Sequence, residues 1–90
     1  MQLKSLPKEI IILSKLYYQD NKNITAISKE TNIQYNYTFL IVKRLQGFKY
    51  IEKIKTKAKR SVYIKLTDKG KLMGKICNEL VNSLEQDDNS

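Results

Sequence analysis

Twelve of the chain's 17 Lys and Arg residues fall between Lys43 and Lys75, against two acids, Glu52 and Asp68, a net charge of +10 in 33 residues. Such a block neutralises polyanions: each phosphate it covers releases condensed counterions, which rewards clustering. From Glu79 onward the sign reverses, with Glu79, Glu85, Asp87 and Asp88 facing no Lys or Arg. A membrane surface would answer to the same charge, but the block contains no basic helix with bulky apolar residues opposite. No apolar run approaches the roughly 18 residues of a membrane span.

Other chemistries have less material. The chain has no His, which removes His-based triads, His general bases and His-containing zinc sites. Cys77 is the one cysteine, so it has no disulfide partner within the chain and no second thiol for a structural metal. Gly47, Gly70 and Gly74 are too scattered for a phosphate-binding loop. Ser–Lys and paired-carboxylate catalysis stay open by counting, but nothing asks for an enzyme, and no metal or cofactor is expected. Met1–Pro7 has no apolar segment after Lys4, so a cleaved leader is not expected either; the reading is of a cytoplasmic protein.

The elements that would position the basic block follow from periodicity. A length of 90 residues with 41% hydrophobic content suits one domain, residues 1–90. Pro7 fits a first helical turn, capped by Ser5 or Leu6. Leu6, Ile10, Leu13 and Tyr17 make a helical stripe with Ile12 and Leu16 beside it, ending at the polar run Asp20–Asn23. A short second helix starts at Ile24, capped by Asn23 or Thr25, and reaches about Thr31. After the tight turn Asn32-Ile33-Gln34, a third helix runs from Tyr35 or Asn36 to Gln46, with Phe39, Val42 and Leu45 inward. Leu40 and Ile41 cannot both be buried beside them. Two strands, Tyr50–Lys55 and Ser61–Leu66, flank a basic tip, Thr56–Arg60; Val62, Ile64 and Leu66 alternate inward. Thr67 or Asp68 caps a last helix, residues 67–85, and residues 86–90 form a frayed acidic tail.

Helix, short helix, tight turn, helix, hairpin, helix is an α+β, mostly helical layout: a winged helix-turn-helix of three helices, a two-stranded wing and a C-terminal helix. Two runs, Leu45-Gln46-Gly47-Phe48-Lys49-Tyr50-Ile51-Glu52 and Val62-Tyr63-Ile64-Lys65-Leu66-Thr67-Asp68-Lys69-Gly70, with the basic hairpin between them, resemble winged-helix transcription factors of the MarR/PadR type. Those proteins close the third helix on Gly-Leu-Ile and leave the wing through Leu-Thr-x-Lys-Gly. The Leu66–Gly70 match is complete, with Leu66 in the core, Thr67 as cap and Gly70 allowing close packing. Lys49 stands where the family has glycine, with Gly47 two residues early, and the wing tip also lacks the usual glycine.

The resemblance implies that the third helix enters a DNA major groove. Its outward set is Gln34, Tyr35, Asn36, Tyr37, Leu40, Lys43 and Arg44, in which amides suit adenine edges, Arg suits guanine, and tyrosines suit phosphate and sugar. Whichever of Leu40 and Ile41 stays outside is free to touch thymine methyls. Lys55, Lys57, Lys59 and Arg60 are the wing contacts to backbone or minor groove. On the last helix, Met73, Ile76, Cys77, Leu80 and Leu84 recur every three or four residues, a spacing that forms a seam with a second chain; Cys77 there reads as a small core residue.

The expected function is sequence-specific binding of double-stranded DNA by a homodimeric transcriptional regulator. The alternatives are a protein-docking winged helix and a non-specific nucleic-acid accessory protein. Lys, Ile, Asn and Tyr usage points to an AT-rich genome of a microbe, its virus or a plasmid. Operator, sign of regulation and any effector are not legible at this level.

Overall fold

The computed structural model describes residues 6–19, 22–55 and 62–88, with residues 87 and 88 described by backbone alone. Its elements are α1 (Lys8–Tyr18), α2 (Ile24–Thr31), α3 (Tyr35–Gly47), β1 (Ile51–Lys55), β2 (Val62–Leu66) and α4 (Asp68–Asp88). The described residues form the expected winged helix, with four helices and one antiparallel hairpin among them. No described helix is long and apolar enough to cross a membrane.

α1 begins one residue later than expected. Pro7 is itself the cap, its ψ of 141° still extended while its carbonyl already accepts from the Ile10 N–H. The buried face centres on Ile12, Leu13 and Leu16, and Tyr17 is only half buried. α2 has the predicted bounds: Asn23 Oδ1 accepts from the Ala26 N–H at 2.8 Å, satisfying one of the helix's free donors. Asn32 ends it in the left-handed conformation, φ 57°.

The next turn sets the angle of α3. Ser28 and Thr38 both donate their hydroxyls to the carbonyl of buried Ile33, at 2.5 and 3.3 Å. Thr38 is fully buried, and with Ile41, Val42 and Leu45 it forms the inner face of α3. Phe39, expected inside, is 41% exposed. The reason is spacing: Thr38, Ile41, Val42 and Leu45 follow i, i+3, i+4, i+7 and stay on one face, whereas steps of three alone drift around the helix. Ile41 is buried and Leu40 is outside, which resolves that pair.

In the hairpin Ile51 pairs with Leu66, Lys53 with Ile64 and Lys55 with Val62. Tyr50 precedes the strand rather than starting it. A bridge absent from the sequence reading ties the segment before α2 to the sheet: the Ile64 N–H donates to the Lys22 carbonyl at 2.8 Å. Ile12, Leu16, Ile27, Ile41, Val42, Ile51 and Ile64 form the heart of the core.

α4 docks through its first turn onto residues 48–50. Thr67 caps the helix, its Oγ1 accepting from the Gly70 N–H at 3.0 Å while donating to the Lys49 carbonyl at 2.6 Å. Its N–H and the Lys69 ammonium donate to the Tyr50 and Phe48 carbonyls. A Cβ on Gly70 would lie 1.8 Å from the Tyr50 carbonyl oxygen, so only glycine fits. Lys49, the departure from the family pattern, adopts φ 67°, a conformation in which glycine would be unstrained.

α4 then packs along α1, the most extensive helix–helix contact of the molecule. Two expectations need correcting here. The helix continues to Asp88 rather than ending near Glu85, so residues 86–88 are helical. Of Met73, Ile76, Cys77, Leu80 and Leu84, only Ile76 and Leu80 are exposed; Cys77 and Leu84 are buried in their own chain, and Met73 packs against the core. α4 therefore stays packed on its own chain as far as Leu84.

Candidate nucleic-acid interface

All seven residues assigned to the outer face of α3 are exposed: Gln34, Tyr35, Asn36, Tyr37, Leu40, Lys43 and Arg44. Asn36, Leu40 and Lys43, at i, i+4 and i+7, run down the middle of that face. Tyr35 and Tyr37, about half exposed, are not core aromatics. The sequence explains why the face is available. Thr38 lets the inner side of α3 approach α2 closely, and its hydroxyl is satisfied on the backbone at the start of its own helix.

Each flank of this face is bounded by another element. On one side the Arg44 guanidinium meets the Glu9 carboxylate of α1 at 3.2 Å. Both side chains are solvent-accessible, and such pairs hold weakly, so Arg44 can exchange Glu9 for a phosphate. On the other side the Lys53 ammonium of β1 stands 5.7 Å from the centre of the Phe39 ring, within cation–π range. Strand alternation places Lys53 and Lys55 on the same side of the hairpin as buried Ile51. The hairpin surface that is core at its base thus becomes a cationic surface beside α3.

Phe39, expected in the core, and Lys53, which was not among the expected wing contacts, both lie beside this face. The signal available was the run Thr38-Phe39-Leu40-Ile41-Val42, where only the Thr38 phase aligns with Leu45. Lys57, Lys59 and Arg60 lie outside the described residues. Lys55 is described and exposed.

Among the described residues the ion pairs are Lys22–Glu30 and Arg44–Glu9, so Lys43, Lys49, Lys53 and Lys55 carry charge that no acid offsets. Lys69 is engaged differently, donating to the Phe48 carbonyl and lying 4.9 Å from the centre of the Tyr50 ring. No described group of three or more His, Cys, Asp and Glu residues could hold a metal ion. Cys77 sits in the core, where burial raises its thiol pKa. It is a protonated packing group at neutral pH.

No protein-family profile matches the chain, and no curated protein sequence does. Solved structures do. AF1382 from Archaeoglobus fulgidus is 27% identical with a TM-score of 0.73, over 87% of this chain and 88% of that one. SSV1 F-93 superposes with a TM-score of 0.82 at 18% identity, covering 96% of this chain and 98% of its own. Streptococcus pneumoniae FabT, solved in complex with DNA, has a TM-score of 0.77 at 19% identity, over 97% of this chain but 62% of its own. The structural neighbours are MarR-family winged-helix transcription regulators. The chain spans about three-fifths of the length of several of them, including FabT and MarR from E. coli, and the likeness at these identities is one of fold.

Proposed function

We propose that the chain is a homodimeric, sequence-specific double-stranded-DNA-binding transcriptional regulator acting in the cytoplasm. α3 lies in the major groove, and the wing, with Lys55, Lys57, Lys59 and Arg60, rests on backbone or minor groove. The observation that carries this reading is the exposed face of α3, which holds the amides of Gln34 and Asn36 ahead of Lys43, a cation that no described acid pairs, and of Arg44, whose pairing with Glu9 is solvent-accessible. The same fold bound to DNA in FabT supports it.

Homodimerisation rests on α4. Leu72, Ile76 and Leu80 recur every four residues and are exposed. The stripe extends equally to either side of Ile76, so two antiparallel copies can lay it against itself about a two-fold axis. Lys69, Lys71 and Lys75 occupy the N-terminal half of the helix, and Glu79 and Glu85 the C-terminal half. An antiparallel pair sets unlike charges side by side, whereas a parallel pair would oppose like ones. The seam is therefore Leu72, Ile76 and Leu80, without Cys77 and Leu84.

Fluorescence anisotropy of the full chain with duplexes selected from a random library, against an arbitrary duplex, over a salt series tests the function. The selected sequence should bind about 10³-fold tighter or more. Log affinity should fall by about 0.9 per phosphate contact for each log unit of salt. Equal binding of both duplexes would indicate a non-specific accessory protein, and no binding a protein-docking module.

A further inference from the structure

We propose that the half-site read by α3 is built of A·T pairs, recognised through thymine methyl groups and adenine edges rather than guanine. The inference rests on the DNA-binding reading above and names the class of sequence that the same face accepts. Base edges are met by the N-terminal residues of a recognition helix. Over residues 34–42 this segment contains no Lys or Arg, the side chains that donate most readily to guanine O6 and N7. The first cations, Lys43 and Arg44, come in the third turn, and Arg44 is drawn toward Glu9 on the α1 side.

What the first two turns expose is of another kind. Asn36 offers an amide that matches adenine N6 and N7 with two hydrogen bonds. One turn further along the same face, Leu40 is 60% exposed. A leucine there gains nothing from water, and within a major groove the apolar group that it meets is the C5 methyl of thymine. Beside it the half-exposed Phe39 ring, held next to Lys53, extends the apolar strip toward the wing. Arg44 and Lys53 are thus placed at the flanks, where they neutralise phosphates of any sequence, Lys43 joins the middle of the face only in the third turn, and the first two turns are left to amide and hydrocarbon.

Selection of duplexes by the wild-type chain, followed by single replacement of each thymine with deoxyuridine, tests this. Deoxyuridine pairs as thymine does but lacks the methyl group. Expected is an A·T-rich half-site with at least one thymine whose methyl removal weakens binding about fourfold, the value of one buried methyl group. Leu40→Ala, an exposed and hence fold-neutral change, should abolish that thymine–uracil difference while retaining the salt slope. Guanines at the contacted positions, or equal affinity for thymine and deoxyuridine throughout, would overturn the proposal and leave DNA binding standing. Failure to bind any duplex at low salt would remove it together with the reading on which it rests.

Discussion

The outer faces of α3 and α4 both expose large apolar side chains, yet they differ in what surrounds those side chains. On α3, Leu40 stands between Asn36 and Lys43, with ion pair and cation–π contact on either flank. On α4, Leu72, Ile76 and Leu80 follow one another without an intervening polar residue along the stripe. An isolated apolar group among donors and acceptors suits a surface with a mixed edge, such as stacked base pairs. An uninterrupted strip suits only another strip. Exposure alone would not separate the two uses; the polar neighbours do.

Ile76→Lys with Leu80→Lys, on the α4 stripe, has the largest expected effect. The pair recurs on both chains of a two-fold seam, and the half-exposed side chains bury roughly 1–2 kcal/mol each on association, so about 4–8 kcal/mol is lost. Sedimentation equilibrium should report a folded monomer, because the buried Cys77, the close approach of Gly74 to Leu13 and Tyr17, and the Ser14–Asn78 hydrogen bond remain to hold α4 on α1. A wild-type chain that already runs as a 10.5 kDa monomer at tens of micromolar, as a rough working range, would refute the seam.

Gly70→Ala strikes the joint that sets both faces in one frame, since α4 is anchored to the segment that ends α3. The added methyl would collide with a backbone carbonyl that already accepts from Thr67, and a loss of about 3 kcal/mol or more is expected in urea unfolding. A loss below about 1 kcal/mol would mean that the joint yields easily.

Lys53→Ala with Lys55→Ala acts on the α3 side alone. The log–log salt slope of DNA binding should flatten by about 0.9 for each phosphate contact removed, with the oligomeric state unchanged. A steeper slope, or an unchanged one, would remove the inner side of the hairpin from the interface.

The smallest effect belongs to Lys49→Gly. Relief of the left-handed backbone at φ 67° should stabilise the fold by about 1 kcal/mol, seen as a higher urea midpoint at constant slope. DNA affinity at high salt should barely change, while at low salt the loss of one cation should weaken binding slightly. A lower midpoint would show that the lysine side chain outweighs its backbone strain.

Local rules made much of this molecule legible in its sequence. The bounds of α2 follow from an asparagine cap and a polar turn, and the Thr67 cap and the closeness demanded of Gly70 lie in five consecutive residues. The order of elements and the change of period after Gly47 suffice for the winged-helix architecture, and the outer residues of α3 follow from its polar and aromatic pattern. Rotation about a helix axis is less accessible when apolar residues crowd every side, as they do from Tyr37 to Val42. There the hydroxyl of Thr38, satisfied locally on the Ile33 and Gln34 carbonyls, can be buried, and the packing of Ile41, Val42 and Leu45 into the core decides that this is the inner phase. The burial of Leu84, the placing of Lys53 over Phe39 and the bridge from Lys22 to Ile64 likewise belong to the tertiary structure, because each depends on how two elements distant in sequence lie side by side. Periodicity specifies which residues share a face, and the packing partner determines which way that face turns.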